Sequence, residues 1–328
     1  MSTSEQAPMA TASAPSSSST GDVPRRVPGR RRAQRLSGAD KFAVGAMIGL
    51  PLILVVGLVL LPAVVTVALS FTNWDGIGGL SEIKWIGLKN YHDVVTIYPA
   101  FWPAIQHNLL WLGVLFLVAT PIGVFFAVLI DKEVRGSRIY QSAIYLPVVL
   151  SLALVGFIWQ LQYSRDFGLI NAILQAVGLQ DEPVDWFGDP NISIWAVLVA
   201  SAWRHIGYIM LLYLAGLKGV DPSLREAAAV DGANEVKTFF RIVFPVLRPI
   251  NIIVIVITVI ESIRAFDLVW IVNKGRNGLE LISALVTSNV VGEASRIGFG
   301  SALATIMLVI SLVFIAIYLS IVMREEER

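Results

Sequence analysis

Phe42–Ser70 reads FAVGAMIGLPLILVVGLVLLPAVVTVALS, an apolar run without a single ionisable side chain. At 1.5 Å of rise per residue it exceeds the ~20 residues needed to cross ~30 Å of hydrocarbon. It is also far longer than the roughly 7–15-residue apolar region of a cleaved signal, so its length predicts an uncleaved first membrane helix. Five further stretches of this kind follow, at 104–130, 142–162, 194–216, 250–270 and 299–322. The expected fold class is therefore all-α, a polytopic membrane protein with six transmembrane helices.

Composition agrees. Of 328 residues 55% are hydrophobic and 15% charged, against roughly 25% charged in a soluble domain. The formal net charge of +1 gives no overall field for a nucleic acid, so no nucleic-acid partner is expected. With no cysteine, a disulfide framework, a thiolate metal site and a cysteine nucleophile are excluded. His92 and His107 stand apart from other ligand types, and no metal site is read from them. Residues 1–38 are a different polymer, rich in Ser, Thr, Ala and Pro and then in Arg from Arg25 to Arg35, and are expected to form a disordered basic tail. Residues 39–328 form the expected transmembrane domain.

Six spans place both termini on one side, and the basic residues say which. The N-terminal tail, the 131–141 and 217–249 loops and the C-terminal tail together hold 17 of the 25 Lys and Arg. The positive-inside rule then makes both termini and the 217–249 loop cytoplasmic, in a cell (cytoplasmic) membrane. Trp74, Trp102, Trp159, Trp186, Trp195 and Trp270 fall near the opposite ends, where amphipathic rings prefer the interface. Pro51, Pro62, Pro121 and Pro147 each remove a backbone donor inside a span and are expected to kink or open it.

The 217–249 loop is built as two short helices rather than as a linker. Asp221 is a good N-cap, Pro222 suits the first helical position, Leu224–Val230 propagates the turn, and Asp231–Gly232 breaks it. A second amphipathic piece runs from Asn234 to Phe244, with Pro245 and Pro249 ending it. Such a helix-turn-helix is expected to be a docking surface for a cytoplasmic partner, the alternative being a re-entrant or merely ordered loop.

These residues carry a resemblance. Glu226-Ala227-Ala228, then Asp231-Gly232-Ala233, then Ile242, Phe244 and Pro245 resemble the EAA loop of ABC importer permeases, with Phe244 where that pattern has leucine. Ser70–Trp74, Gly87–Tyr91, Phe101-Trp102, Leu146-Pro147, Gly168–Asn171 and Trp186–Pro190 follow the order seen in the carbohydrate importers, the maltose-type first permease in particular. Asn273–Gly278 departs from the family's Thr-Gly-Gly-Pro-like outer turn. The resemblance implies the ABC importer type I permease fold. It implies a second homologous permease, two cytoplasmic ATPase subunits and an extracytoplasmic sugar-binding protein as partners, and a di- or oligosaccharide as substrate. ATP and Mg would be bound by the ATPase partners, with no cofactor in this chain and no enzymatic activity of its own. In that family Glu226 would meet a basic residue of the ATPase, Ala227 and Ala228 would allow close approach, and Gly232 would make the turn.

Ionisable groups inside spans are functional candidates by default. Ser201, Arg204, His205 and Tyr208 share one face of the fourth span, and Thr258, Glu261, Ser262 and Ala265 repeat that spacing in the fifth. A sugar requires directional hydrogen bonds and an apolar or aromatic face, and these residues are candidates to line its path. Alternatively Arg204 with Glu261, or Arg264 with Glu261 or Asp267, are ion pairs that satisfy each other in lipid. Two rival functions stay open. One is an ion-gradient-driven secondary transporter with Arg204, Glu261, Arg264 and Asp267 as a proton relay. The other is a membrane enzyme using Asp185 and Asp189. The absence of a Walker-type phosphate loop excludes an ATPase in this chain.

Overall fold

The computed structural model describes residues 37–326 except 78, 133–134, 180–181 and 293–294. The expected basic tail, but for its last two residues, lies outside the described residues. Among the described residues the regular structure is helical, with one isolated antiparallel bridge between Thr72 and Trp85. The chain divides into two compact units, Met1–Val56 and Gly57–Arg328. In the first, the helix Gly38–Val55 exposes its apolar side chains along its whole length, Phe42 at 79% and Ile53 at 69%. A surface of that kind is tolerated in lipid, not in water.

Four helices are long and apolar enough to cross a membrane unaided: Asp40–Leu69, Phe101–Asp131, Ser193–Lys218 and Ile297–Tyr318. The third expected span is bent, and the chain bends again just ahead of the fifth. Ser137–Val149 and Leu152–Gln162 meet at 103°, and Glu235–Val246 and Arg248–Asn273 at 77°; counted as one span each, they complete six. The third span breaks at Leu150 and Ser151, both extended, and the Ser151 hydroxyl accepts the Leu154 amide to start the new helix. Pro147 lies inside the helix before that break, so the bend is made by a capped restart rather than at the proline. The expected continuous span 250–270 is also interrupted, because the helix Arg248–Ile263 ends before a second helix, Asp267–Asn273.

Three other prolines share one solution. Pro62, Pro121 and Pro245 each follow a five-residue π-helical segment, respectively Val56–Leu60, Leu115–Ala119 and Phe239–Val243. A helical proline leaves the carbonyl four residues earlier without its donor and crowds it. Those carbonyls belong to Leu58, Leu117 and Arg241, the middle residue of each segment. In the last two the amide just before the proline, that of Thr120 and of Phe244, bonds five residues back to the Leu115 and Phe239 carbonyls, and the wider turn eases the crowding ahead of the ring. Pro245 accordingly does not end the second loop helix as expected, and helical structure runs on to Val246.

In the second unit the fourth span is the hub. It packs against Thr120–Asp131 and against Ser137–Val149, while Ile297–Glu326 packs on Ile282–Val290 and Leu61–Leu69. Three apolar clusters fill the interior, one of them around Phe101, Leu285 and Leu303; the other two bear on the sites. One surrounds Trp111, Val155, Leu198 and Leu268; the other holds Ala127, Met210, Tyr213, Leu247 and Val254 toward the 217–249 loop. Small residues let membrane helices approach closely. At Gly207 a Cβ would stand 2.3 Å from the Ile144 carbonyl oxygen, which is backbone and cannot turn aside. At Gly216 it would meet Ile250 and Leu247 side chains, which can. Gly207→Ala is therefore expected to destabilise the chain by at least the upper part of ~1–3 kcal/mol, despite alanine's better helix propensity. Gly216→Ala is expected to be near neutral. Thermal unfolding of the two variants in detergent checks this, and equal Tm shifts would refute the close crossing at Gly207.

Candidate functional site

The interruption of the fifth span opens the intramembrane site. Arg264, Ala265 and Phe266 leave helical geometry between Ile263 and Asp267, with Phe266 at φ −144° and ψ −57°. Ser283 donates its hydroxyl to the Ala265 carbonyl, so one freed backbone acceptor is satisfied by the chain. Facing this break is a cavity of about 210 Å³ between the second, third, fourth and fifth spans. Ser201, Arg204, Glu261, Arg264 and Asp267 give it polar groups, and Trp111 and Phe266 give it aromatic ones.

Behind the wall lies a buried hydrogen-bond chain. His205, 1% exposed, contacts the Glu261 carboxylate through Nδ1 at 3.0 Å and the Thr258 hydroxyl through Nε2 at 3.2 Å. Thr258 donates to the Val254 carbonyl at 2.7 Å, and Ser262 donates to the Thr258 carbonyl at 2.7 Å. Arg204 Nη1 lies 3.4 Å from the other Glu261 oxygen, while Arg204 Nε is buried without a hydrogen-bond partner. A carboxylate gripped from two sides holds its charge in one place in a medium where an unpaired charge is costly.

The eight intramembrane candidates therefore separate. Ser201, Arg204, Glu261 and Ala265 line the cavity. His205, Thr258 and Ser262 are buried and hold Glu261 and the helix in place, and Tyr208 packs toward the lower apolar cluster. A shared helical face extends over two turns, whereas the cavity reaches only as far as the helix break. Glu261 pairs with Arg204 and His205 rather than with Arg264. Trp111, Leu152 and Phe266 were not visible as candidates, because an apolar residue in an apolar span gives no signal until the break turns it toward a cavity.

The 217–249 loop forms the second site. Asp221 caps the helix Pro222–Val230 by accepting the Ser223 amide at 2.9 Å, and that bond holds its carboxyl below its ordinary value. The cap's contribution is present above the ordinary carboxylate range and is lost as pH falls through the lowered value. At the other end Gly232 takes φ +75°, and the Ala233 amide returns to the Ala228 carbonyl at 2.9 Å, a Schellman closure. Glu226, Ala227 and Asp231 are exposed, and Val230 is 89% exposed. Ala228 is buried against its own chain, so of the two alanines only Ala227 faces outward. Ile242 lies half-buried in the π segment, and Pro245 is exposed.

One residue outside the motif ties this helix down. Asp131, at the end of the second span with its side chain 8% exposed, receives Arg225 at 2.8 Å and faces Lys218 at 3.5 Å. Lys132 and Glu235 form a further ion pair beside it. Two cations in the loop and the acid closing the second span were the available signal, but only the fold brings them together.

Comparison with known proteins follows the same lines. The model of the binding-protein-dependent transport system inner membrane component family matches residues 119–325. The xylose/arabinose import permease protein XacH of Haloferax volcanii is 31% identical over 258 residues, covering 77% of this chain and 79% of its own. The trehalose/maltose transport system permease protein MalF of Thermococcus litoralis is 28% identical over 279 residues, covering 85% and 93%. A bacterial ABC transporter involved in alginate import aligns with a TM-score of 0.75 at 21% identity, covering 87% of this chain and 96% of that one. This chain belongs to the binding-protein-dependent transport system inner membrane component family.

Proposed function

We propose that this chain is the sugar-translocating permease subunit of an ATP-driven importer, working by alternating access beside a second, homologous permease. The observation that carries the reading is the cavity at the helix break, where fixed charges and two aromatic rings meet inside an otherwise apolar bundle. A sugar takes hydrogen bonds from such groups and lays an apolar face on a ring. Trp111 and Phe266 supply the ring faces, Ser201 and the Arg204 guanidinium supply donors, and Glu261 supplies the acceptor. An external sugar-binding protein delivers the substrate. Relatives named for xylose/arabinose and for trehalose/maltose support a sugar over other solutes.

ATP and Mg are held by two ATPase partners on the cytoplasmic side, where both termini and the 217–249 loop lie. Glu226, Ala227 and Val230 form the face offered to the ATPase. An ATPase shifts a two-state bundle only through its differential affinity for the two states, so its contact must be stiff. The Asp221 cap, the Gly232 closure and the Asp131 latch give that stiffness. A proton-relay transporter requires none of these features, and Glu261 held between Arg204 and His205 is an immobilised charge rather than an open relay.

Three outcomes follow. Glu226→Lys in the assembled importer abolishes uptake while membrane insertion stays normal; uptake at the wild-type rate would remove the coupling role. Asp131→Asn removes the carboxylate that Arg225 and Lys218 share and loosens the helix by about 1–2 kcal/mol after solvent screening. It is expected to lower sugar transported per ATP hydrolysed while ATPase activity persists, and an unchanged ratio would count against the latch. Phe266→Leu keeps apolar volume but removes the ring, and is expected to raise the sugar concentration for half-maximal uptake by about tenfold. The same vesicles test the driving force: uptake should require ATP and survive a proton uncoupler.

A further inference from the structure

A second charged cavity lies away from the sugar site, at the loop end of the fourth span. It encloses about 620 Å³ between the end of the second span, the start of the helix Ser137–Val149 and the last turns of the fourth span. Arg135, Arg138 and Lys218 line it from separate elements, Ser137 and Gln141 add polar groups, and no carboxylate is among its described lining residues. Asp131 faces Lys218 at 3.5 Å but commits its other oxygen to Arg225 at 2.8 Å. Among the described residues neither Arg135 nor Arg138 forms an ion pair.

Positive-inside bias explains why this end of the bundle is basic, not why the cations converge on one hollow. Like charges around a shared space repel, and an anion between them reverses the sign of that interaction. The backbone adds to it. The helix Ser137–Val149 starts from Gly136, at φ +85°, with no side chain capping its first turn, and both Gly136 and Ser137 line the cavity. Its opening amides therefore contribute further positive potential. The floor is apolar, formed by Ile130 and Leu214, and Ile139 beside it is 74% exposed. Basic hollows between spans with apolar walls suit a lipid phosphate whose acyl chains continue down the bundle.

We propose that this cavity binds a phosphodiester anion, and that the anion is the headgroup of an acidic phospholipid from the leaflet at the loop end. Arg135 and Arg138 hold the phosphate, and Lys218 links it to Asp131 and so to the helix that carries Glu226.

The full chain, purified and stripped of lipid, is titrated with phosphatidylglycerol, with phosphatidylcholine and with inorganic phosphate. Thermal unfolding and native mass spectrometry are the readouts. Phosphatidylglycerol is expected to raise Tm and to be retained as a discrete single-lipid adduct, while the other two do neither. Arg135→Gln/Arg138→Gln should weaken retention about tenfold or more, whereas Lys84→Gln/Lys89→Gln, removing equal charge elsewhere, should not. If the first pair does not yield monodisperse protein, Arg135→Gln alone, at an exposed position, carries the test with a smaller loss. Undiminished retention in the arginine variants, or equal retention of phosphatidylcholine, would overturn the site. Stabilisation by inorganic phosphate alone would overturn the lipid as its occupant.

Discussion

In hydrocarbon there is no water to complete a hydrogen bond or solvate a charge, and every feature of this chain is arranged around that constraint. The three prolines preceded by π segments show it at the level of the backbone. Each removes a backbone donor, and each is preceded by a turn of wider helical register that makes room for the ring. Glu261 shows it for side chains. The carboxylate is bracketed by Arg204 and His205, and His205 in turn by Thr258, so the charge is supported by a chain of buried partners. Without that chain the cavity would collapse or the acid would be neutralised.

The same constraint makes the helix break informative. Non-helical backbone at membrane depth is tolerated only where protein or a polar cavity surrounds it. Arg264, Ala265 and Phe266 are non-helical, and they line a cavity rather than facing lipid. The break thus performs two tasks, exposing backbone and side-chain polar groups to a solute and turning Phe266 toward it. The Phe266 ring, stacked on Trp270 at 5.2 Å, is held in orientation, which the proposed role as a sugar platform requires.

Charge and periodicity made much of this legible in the sequence. Apolar run length pointed to the four helices long enough to cross a membrane and to two bent pairs that could each make one more span, because bilayer thickness sets that length. The loop helix was readable because its caps, Asp221 and Gly232, act within a few residues of each other. The intramembrane face was readable in part: Ser201, Arg204 and Glu261 reach the cavity, whereas His205 and Thr258 sit behind it, and spacing cannot distinguish a wall from its support. Long-range pairings were not legible. Asp131 is separated from Arg225 by most of two spans, and no local pattern announces their contact. The bend after Pro147 was likewise hidden, because the proline drew attention from the Leu150–Ser151 restart that makes it.

Stiffness and compliance are separated along the chain, and that separation is what a two-state transporter requires. The fourth span runs unbroken from the Lys218 end, beside the Asp131 latch, up to Ser201 at the cavity, and its crossing with Ile144 at Gly207 leaves no slack. A displacement of the loop helix is therefore carried to the cavity by a rigid element. The second and fifth spans differ. The second carries its π segment just beyond Trp111, and the fifth is broken beside Glu261. In the proposed transport cycle a rigid fourth span beside two interrupted ones lets a push at Glu226 alter the cavity's shape instead of translating it whole.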